Sequence, residues 1–332
     1  MLYYIEAYSK TNLRAMRRKI SSIVEKQTAG MRLDLWLSTR FDYHSRSKWQ
    51  ELIRNEEVIV NNRAVRPSKI LAENDVVELK TNEDNEPDSN INYRVIYEDD
   101  NIIALNKPAD LPCHPSGAYF HKTLWYLVVN DLKIKAHIVH RLDRETSGVV
   151  VMAKNSETAR ELSDLFVKKQ IRKIYIASVH GIFPTEYHAK GYLEHFEESV
   201  LLKKRRFIEL NEVKFKSLPE AIESAETYFE LLKEQNGLSL LKAMPKTGRF
   251  HQIRATLYSL GFPMVGDKYY GLDETIFLRF IEDKMTEEDE KKLILDRQAL
   301  HAKTLEFTLP SNGKHYLFDT EIPDEITSLF RV

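Results

Sequence analysis

One short apolar run constrains the chain more than any other stretch. Val149-Val150-Val151-Met152-Ala153 carries no polar side chain, and directly before it stands His140-Arg141-Leu142-Asp143-Arg144-Glu145-Thr146-Ser147-Gly148, where charge is dense. Such a run with a polar border reads as a buried strand, so the charged residues belong at its edge. A carboxylate beside two arginines can stay ionised in a partly dry site, because nearby positive charge lowers its pKa while burial raises it. Asp143 is therefore a candidate nucleophile. A structural Arg–Asp cluster at a strand edge accounts for the same residues, since ion-pair networks also perturb carboxylates. Arg144 and Glu145 read as structural members, and Thr146, Ser147 and Gly148 as the turn that sets the aspartate above the sheet.

The stretch also resembles the HRLD-x-x-T-S-G signature of the RluA family of pseudouridine synthases, a long motif with fixed residues on both sides of the aspartate. Two further segments resemble that family in the same order. Arg172 to Gly181 alternates as a strand, with Lys173, Tyr175, Ala177 and Val179 on one face, and is similar to K-x-Y-x-A-x-V-x-G. A tyrosine on such a face is commonly core; the resemblance makes Tyr175 the residue that stacks on the target base and a candidate for proton transfer. Thr247-Gly248-Arg249-Phe250-His251-Gln252-Ile253-Arg254 is similar to T-G-R-x-H-Q-I-R and leads into a helix with Ile253, Leu257 and Leu260 inward and Gly261 as its stop. The resemblance pairs Arg254 with Asp143, by a charge-assisted contact that can be bidentate. It also gives Arg141 the task of filling the space a flipped base leaves, and assigns substrate contacts to His140, Arg249 and His251.

Upstream, Leu33, Trp36, Leu37 and Phe41 fall at helical spacing, and Trp49, Leu52 and Ile53 do so again after a break. Ser47, three residues before Gln50, can form a capping box, with Ser45 an equal cap. Val58-Ile59-Val60 reads as a strand, Asn61-Asn62 as a turn and Val76 to Leu79 as a closing strand. This unit, residues 31–80, resembles the S-four RNA-binding domain through Arg32-Leu33-Asp34, Ser45-Arg46-Ser47 and Val58-x-Val60-Asn61. Its surface leans basic, and Arg32, Arg46, Lys48, Arg54, Arg63 and Arg66 are the expected contacts to RNA phosphates, although a solvated face has the same composition. Residues 1–30 form an extension with an apolar start, Met1 to Ile5, and a basic patch, Arg14 to Lys19, to which no role is assigned. Residues 81–92, acidic and broken by Pro87, read as a mobile linker.

Residues 93–332 form the larger domain. It opens with a hairpin, Val95-Ile96-Tyr97 and Ile102 to Leu105, followed by a proline-rich loop from Lys107-Pro108 to Pro115. A second hairpin turns at Asn236-Gly237. Lys203-Lys204-Arg205-Arg206 reads as a solvated turn and stays outside the site. Residues 272–298 read as a charged helical insertion. The expected fold is α+β: a small S-four-like α/β domain, then a catalytic domain on a mixed, mainly antiparallel sheet flanked by helices.

With 42% hydrophobic and 30% charged residues the 332-residue chain is ordinary for a globular protein. No apolar run approaches the ~20 residues that span a bilayer, and no signal peptide is apparent, so a cytoplasmic protein without membrane contact is expected. The single cysteine, Cys113, excludes an internal disulfide and a cysteine-rich zinc site. The formal net charge of -1 gives no basic surplus for nucleic acid, so the distribution of charge must carry RNA binding. The resemblance implies isomerisation of uridine in RNA, in large-subunit ribosomal RNA before transfer RNA, by a monomer needing no cofactor and no metal. A non-catalytic RNA-binding or ribosome-assembly factor on the same fold, and a nucleoside hydrolase using the same carboxylate, are the rival readings.

Overall fold

The computed structural model describes residues 19–40, 46–80, 86–116, 119–201, 203–212 and 222–331. The Met1 to Ile5 start, most of the basic patch that begins at Arg14, Phe41, Ser45 and residues 81–85 lie outside them. Contacts divide the chain into two units, residues 1–89 with 114–137, and residues 90–113 with 138–332.

The first unit contains β1 (Lys19–Ile23), α1 (Leu33–Arg40), α2 (Arg46–Arg54), β2 (Val58–Val60), β3 (Arg63–Ala64), β4 (Val76–Lys80) and α3 (Leu124–Leu132). Leu33, Trp36 and Leu37 on α1 and Trp49, Leu52 and Ile53 on α2 share one core with Val58 and Leu71. Each such side chain contributes about 1.5–3 kcal/mol when fully buried. The strands run β1-β4-β2-β3, all antiparallel. Asn61 and Asn62 turn β2 into β3 at φ +51° and +61°, a left-handed pair that suits a two-residue hairpin and that asparagine tolerates.

Three expectations change here. Helix α2 starts at Arg46, so Ser47 lies inside it rather than at its cap. Strand β1 pairs along β4 and extends the sheet upstream of residue 31. The acidic linker is tied down at Glu86, which accepts hydrogen bonds from the amides of His121 (2.8 Å) and Lys122 (2.9 Å) and lies 2.6 Å from His121 Nδ1. Phe120 packs against the tryptophan core. These contacts explain why residues 114–137 associate with the first unit.

Beyond Asn90 the strands are β5 (Arg94–Glu98), β6 (Ile102–Lys107), β7 (His137–Ile138), β8 (Ser147–Ala153), β9 (Arg172–His180), β10 (Glu186–His195), β11 (Arg205–Glu209), β12 (Glu223–Gln235), β13 (Leu238–Pro245), β14 (Leu300–Thr308) and β15 (His315–Asp319). The helices are α4 (Ser156–Val167), α5 (Gln252–Ser259), α6 (Thr275–Ile281), α7 (Glu287–Leu293) and α8 (Asp324–Ser328). The sheet runs β11-β10-β12-β13-β9-β14-β8-β6-β5, with β15 beside β14. Along that path only β8 with β14 is parallel, so the sheet is mixed and mainly antiparallel and the fold is α+β.

Strand β8 is buried along its whole length, as its apolar run requires. Helix α4, capped by the Asn155 side chain accepting from the Thr158 amide at 2.8 Å, lays Leu162 and Leu165 over Val149 and Val151. Helix α5 sets Ile253, Ala255 and Leu257 into a second core with β9, β10, β12 and β13. Ser147 and Gly148 belong to β8 rather than to a preceding turn. Gly148 has φ +114°, and a Cβ there would stand 2.1 Å from the Ala302 carbonyl oxygen, so only glycine lets β14 lie against the start of β8.

The run from Lys203 to Arg206 is not a solvated turn throughout. Lys204 is fully buried, its Nζ 2.8 Å from Glu274 and 3.9 Å from the centre of the Tyr258 ring. The charged insertion folds as α6 and α7. Thr286 and Asp289 close a capping box, the acids Glu287 to Glu290 fill the first turn, and Lys291 and Lys292 the last, an order that suits the helix dipole.

Candidate active site

Asp143 sits in the loop before β8, and that loop is fastened by its neighbours. The Lys107 ammonium, fully buried, donates to the carbonyls of Pro108 (2.9 Å), Leu111 (2.8 Å) and Arg144 (2.9 Å). Burial brings its pKa down to about 8, and its three carbonyl partners fasten the backbone on both sides of the loop. The Leu142 amide donates to Cys113 Sγ at 3.2 Å, Glu145 pairs with Lys268 at 3.0 Å, and Thr146 accepts from Gln298. Arg144 and Glu145 thus act in the scaffold.

Arg254 reaches the aspartate from the first turn of α5. Its Nη1 donates to Asp143 Oδ2 at 2.7 Å, while Nε and Nη2 donate to the two oxygens of Asp267 at 2.6 and 2.9 Å. The bidentate grip goes to Asp267, and Asp143 receives a single contact. Asp267 is fully buried and also accepts from the amides of Tyr269 and Tyr270, each at 2.8 Å. Gln252 sets the start of α5: its amide oxygen accepts from Thr247 Oγ1 (2.7 Å) and the Arg249 amide (3.0 Å), and its Nε2 donates to Thr227 Oγ1 (2.9 Å).

Burial alone would raise the Asp143 pKa, but His251 when charged, Arg254 and Arg141 bring it to about 2, so the carboxylate is ionised at neutral pH. His251 stands in the left-handed conformation ahead of α5, its Nε2 3.9 Å from Asp143 Oδ2 and its ring stacked on Phe250 at 3.6 Å. Burial first, and Arg254 second, lower its pKa to about 3. At neutral pH it is uncharged, and Arg254 carries the pairing.

Asp143, Arg141, Lys173, Tyr175, Arg249 and His251 line one cleft of about 110 Å³. Burial and the Asp143 charge push the Tyr175 phenol well above its ordinary pKa, so it stays protonated. Arg249 contacts the Ser224 carbonyl and Glu223. His140 does not join the cleft. Its Nε2 accepts from the Val151 amide at 3.0 Å and its ring lies on Phe166 at 4.9 Å. The β8–β14 pairing stops after Gly148, and the imidazole accepts from the Val151 amide further along β8. Sequence reasoning assigned no role to Asp267, to Gln252 of the T-G-R-x-H-Q-I-R segment or to Lys107 at the head of the proline-rich loop.

In the first unit all six expected RNA contacts are exposed, but they are not equivalent. Arg32 and Arg46 both reach the buried Asp34, which also accepts from Gln50, and Lys48 pairs with Glu51. Among the described residues no group of His, Cys, Asp and Glu is arranged to hold a metal, and no helix is long and apolar enough to cross a membrane.

An ionised carboxylate held by a buried arginine thus shares one small cleft with a protonated tyrosine. Residues 101–259 match the RNA pseudouridylate synthase family and residues 31–77 the S4 domain. The chain belongs to the pseudouridine synthases, isomerases of uridine in RNA, and carries an S4 domain ahead of the catalytic region. It is 34% identical over 260 residues to ribosomal large subunit pseudouridine synthase D of Borreliella burgdorferi, covering 73% of this chain and 76% of that protein. It is 31% identical over 328 residues to ribosomal large subunit pseudouridine synthase D of Blochmanniella floridana, covering 93% and 97%. Its fold matches human RNA pseudouridylate synthase domain containing 1 at TM-score 0.55 and 23% identity, over 74% of this chain and 89% of that one.

Proposed function

We propose that this enzyme isomerises uridine in large-subunit ribosomal RNA, with Asp143 as the nucleophile. The observation that carries the assignment is the 2.7 Å contact between Arg254 Nη1 and Asp143 Oδ2 in the cleft that Tyr175 lines. Relatives named for the large subunit, one of them matched almost end to end, support the choice of RNA. The reaction breaks the C1'–N1 bond, turns the uracil and joins C5 to C1'; the proton on C5 leaves and N1 gains one. A carboxylate suits the electron-poor C1' as it does in retaining glycosidases.

Arg254 keeps Asp143 ionised and aimed. Tyr175 packs on the uracil as a neutral phenol, which makes stacking its main task and disfavours it as an ionised base. Arg141, exposed at the cleft mouth, enters the space of the extruded base, a displacement that costs a few kcal/mol. Arg249 and His251 contact the flipped nucleotide. Arg32, Arg46, Lys48, Arg54, Arg63 and Arg66 bind phosphates through salt-sensitive contacts. The same reading makes the enzyme a cytoplasmic monomer without cofactor or metal.

The test is Asp143→Asn. Pseudouridine mapping of ribosomal and transfer RNA from cells carrying only the variant should show loss of every site that depends on the wild type. Undiminished modification would leave an RNA-binding factor, free uracil accumulating when the wild type is incubated with RNA would leave a hydrolase, and loss confined to transfer RNA would overturn the ribosomal assignment.

A further inference from the structure

Lys173 is a charged group in the cleft that the assignment above does not use. It lies on β9 two residues before Tyr175, on the same face of the strand, and both side chains line the cleft with Asp143. Its ammonium donates to the Thr247 carbonyl at 3.0 Å, and no carboxylate among the described residues lies within ion-pair distance. Two arginines of the cleft are already engaged: Arg254 with Asp143 and Asp267, Arg249 with Glu223 and the Ser224 carbonyl. An ammonium has three donors on a flexible stem. One is used on Thr247, which leaves two.

We propose that Lys173 is a further catalytic residue, donating from its ammonium to the carbonyl oxygens of uracil and stabilising the anion released when C1'–N1 breaks. The inference rests on the pseudouridine reading of the cleft. When the bond breaks, its electron pair leaves with N1 and the charge spreads onto O2 and O4, while the Asp143 carboxylate engages C1'. After the base turns, a pair from the uracil anion forms C5–C1', Asp143 is released, the C5 proton passes to water and N1 takes one proton back from water. The negative charge in the cleft therefore moves from the carboxylate to the base and back. A fixed donor aimed at developing charge in a dry site is worth more than one in water. A lysine also suits this step better than an arginine, because its rotatable donors can follow whichever oxygen faces it as the ring turns, whereas a guanidinium fork fits one orientation. Burial lowers the Lys173 pKa to about 8, so most of the ammonium is charged at neutral pH.

The test uses Lys173→Met, with Lys173→Gln to retain a donor for Thr247, in single-turnover assays on RNA carrying uridine or 5-fluorouridine at the target. Fluorine makes the departing base a more stable anion. On uridine RNA, Lys173→Met should slow C1'–N1 cleavage by about 10²–10³-fold, the loss typical of removing one oxyanion donor, with RNA affinity and melting temperature unchanged. On 5-fluorouridine RNA the loss should shrink at least about tenfold while staying measurable, and Lys173→Gln should fall between wild type and Lys173→Met. Wild-type rates in both variants, or equal losses on the two substrates, would overturn the proposal. A variant fully active on 5-fluorouridine RNA would overturn it too, making Lys173 the base for the C5 proton instead. Failure of the pseudouridine reading is separable, since then the wild type itself would form no pseudouridine.

Discussion

Asp267 and Asp143 hold the same guanidinium, yet replacing each by asparagine should fail in a different way. The Asp267 side chain is fully buried and takes two contacts from Arg254 and two from backbone amides. An asparagine there can keep the amide contacts through its oxygen, but its NH2 group then faces the N–H donors of Arg254. Removing one partner of a buried ion pair costs about 3–5 kcal/mol. Asp143 keeps a quarter of its side chain exposed and takes one contact from Arg254. Its asparagine retains an oxygen for that contact but gives up a charge that the site favours, as the depressed pKa of about 2 shows, at a cost of about 2–3 kcal/mol. At roughly 2–4 °C per kcal/mol for a unit of this size, Asp267→Asn should lower the melting temperature by about 6–20 °C and Asp143→Asn by less, about 5–10 °C. Activity should order the other way. Asp143→Asn should abolish pseudouridine formation, whereas Asp267→Asn should lower kcat by about 10–10²-fold, the effect of a misplaced catalytic group. Calorimetry and a single-turnover assay on both variants decide the matter. An Asp143→Asn protein that melts lower than Asp267→Asn would refute the division of labour.

Two further outcomes follow from the charges. His301 is buried between Ser147 and Thr320 and burial lowers its pKa to about 4. Between the ordinary value of 6.5 and 4 the unfolded chain binds the extra proton and the native state does not, so stability is full above about pH 6.5 and falls as pH drops towards 4. The loss is at most about 3 kcal/mol; His301→Asn should flatten that part of the melting-temperature profile, and an unchanged profile would count against a neutral native imidazole. In the first unit, Arg63 and Arg66 are exposed whereas Arg32 and Arg46 lean on Asp34. Arg63→Ala and Arg66→Ala should each reduce the salt slope of RNA binding by about 0.7–0.9, more than Arg32→Ala does, as filter binding from low to high salt would show.

Much of this architecture is legible in local patterns. The Val149–Ala153 run had to be an interior strand, Leu33-Trp36-Leu37 and Trp49-Leu52-Ile53 had to be amphipathic helices, and the distance along the chain between Asp143 and Arg254 was bridged by resemblance. What escaped is what packing decides. Lys204 looked like one solvated lysine among four basic residues, but the residue that neutralises it, Glu274, is 70 positions away in sequence. His140, adjacent to Arg141 in the motif, turns the other way because a strand amide at Val151 needs an acceptor. Asp267 carries no local pattern that marks it as the main partner of Arg254. Residues 114–137 follow the first unit because Phe120 and His121 find their partners there, a fact no linear boundary could express.

The contact between Arg254 and Asp143, which chemistry allows to be bidentate, matters most for being single. Because Arg254 gives its fork to Asp267, it reaches only Oδ2 of Asp143, and His251 Nε2 stands nearest that same oxygen. Oδ1 has no hydrogen-bond partner among the described residues, so one oxygen is held while the other is free for the attack proposed on C1'. On the proposed mechanism, the depressed pKa of Asp143 serves the end of the reaction as much as its start. A strongly basic carboxylate would capture C1' readily and release it slowly, whereas one stabilised as an anion by Arg254 is a good leaving group when C5 attacks. The arginine between two carboxylates thus favours turnover over trapping. On this argument Arg254→Lys, which cannot span both acids with a planar fork, should lower kcat more than it weakens RNA binding, and a variant that instead lost only affinity would place Arg254 in substrate binding rather than beside the nucleophile.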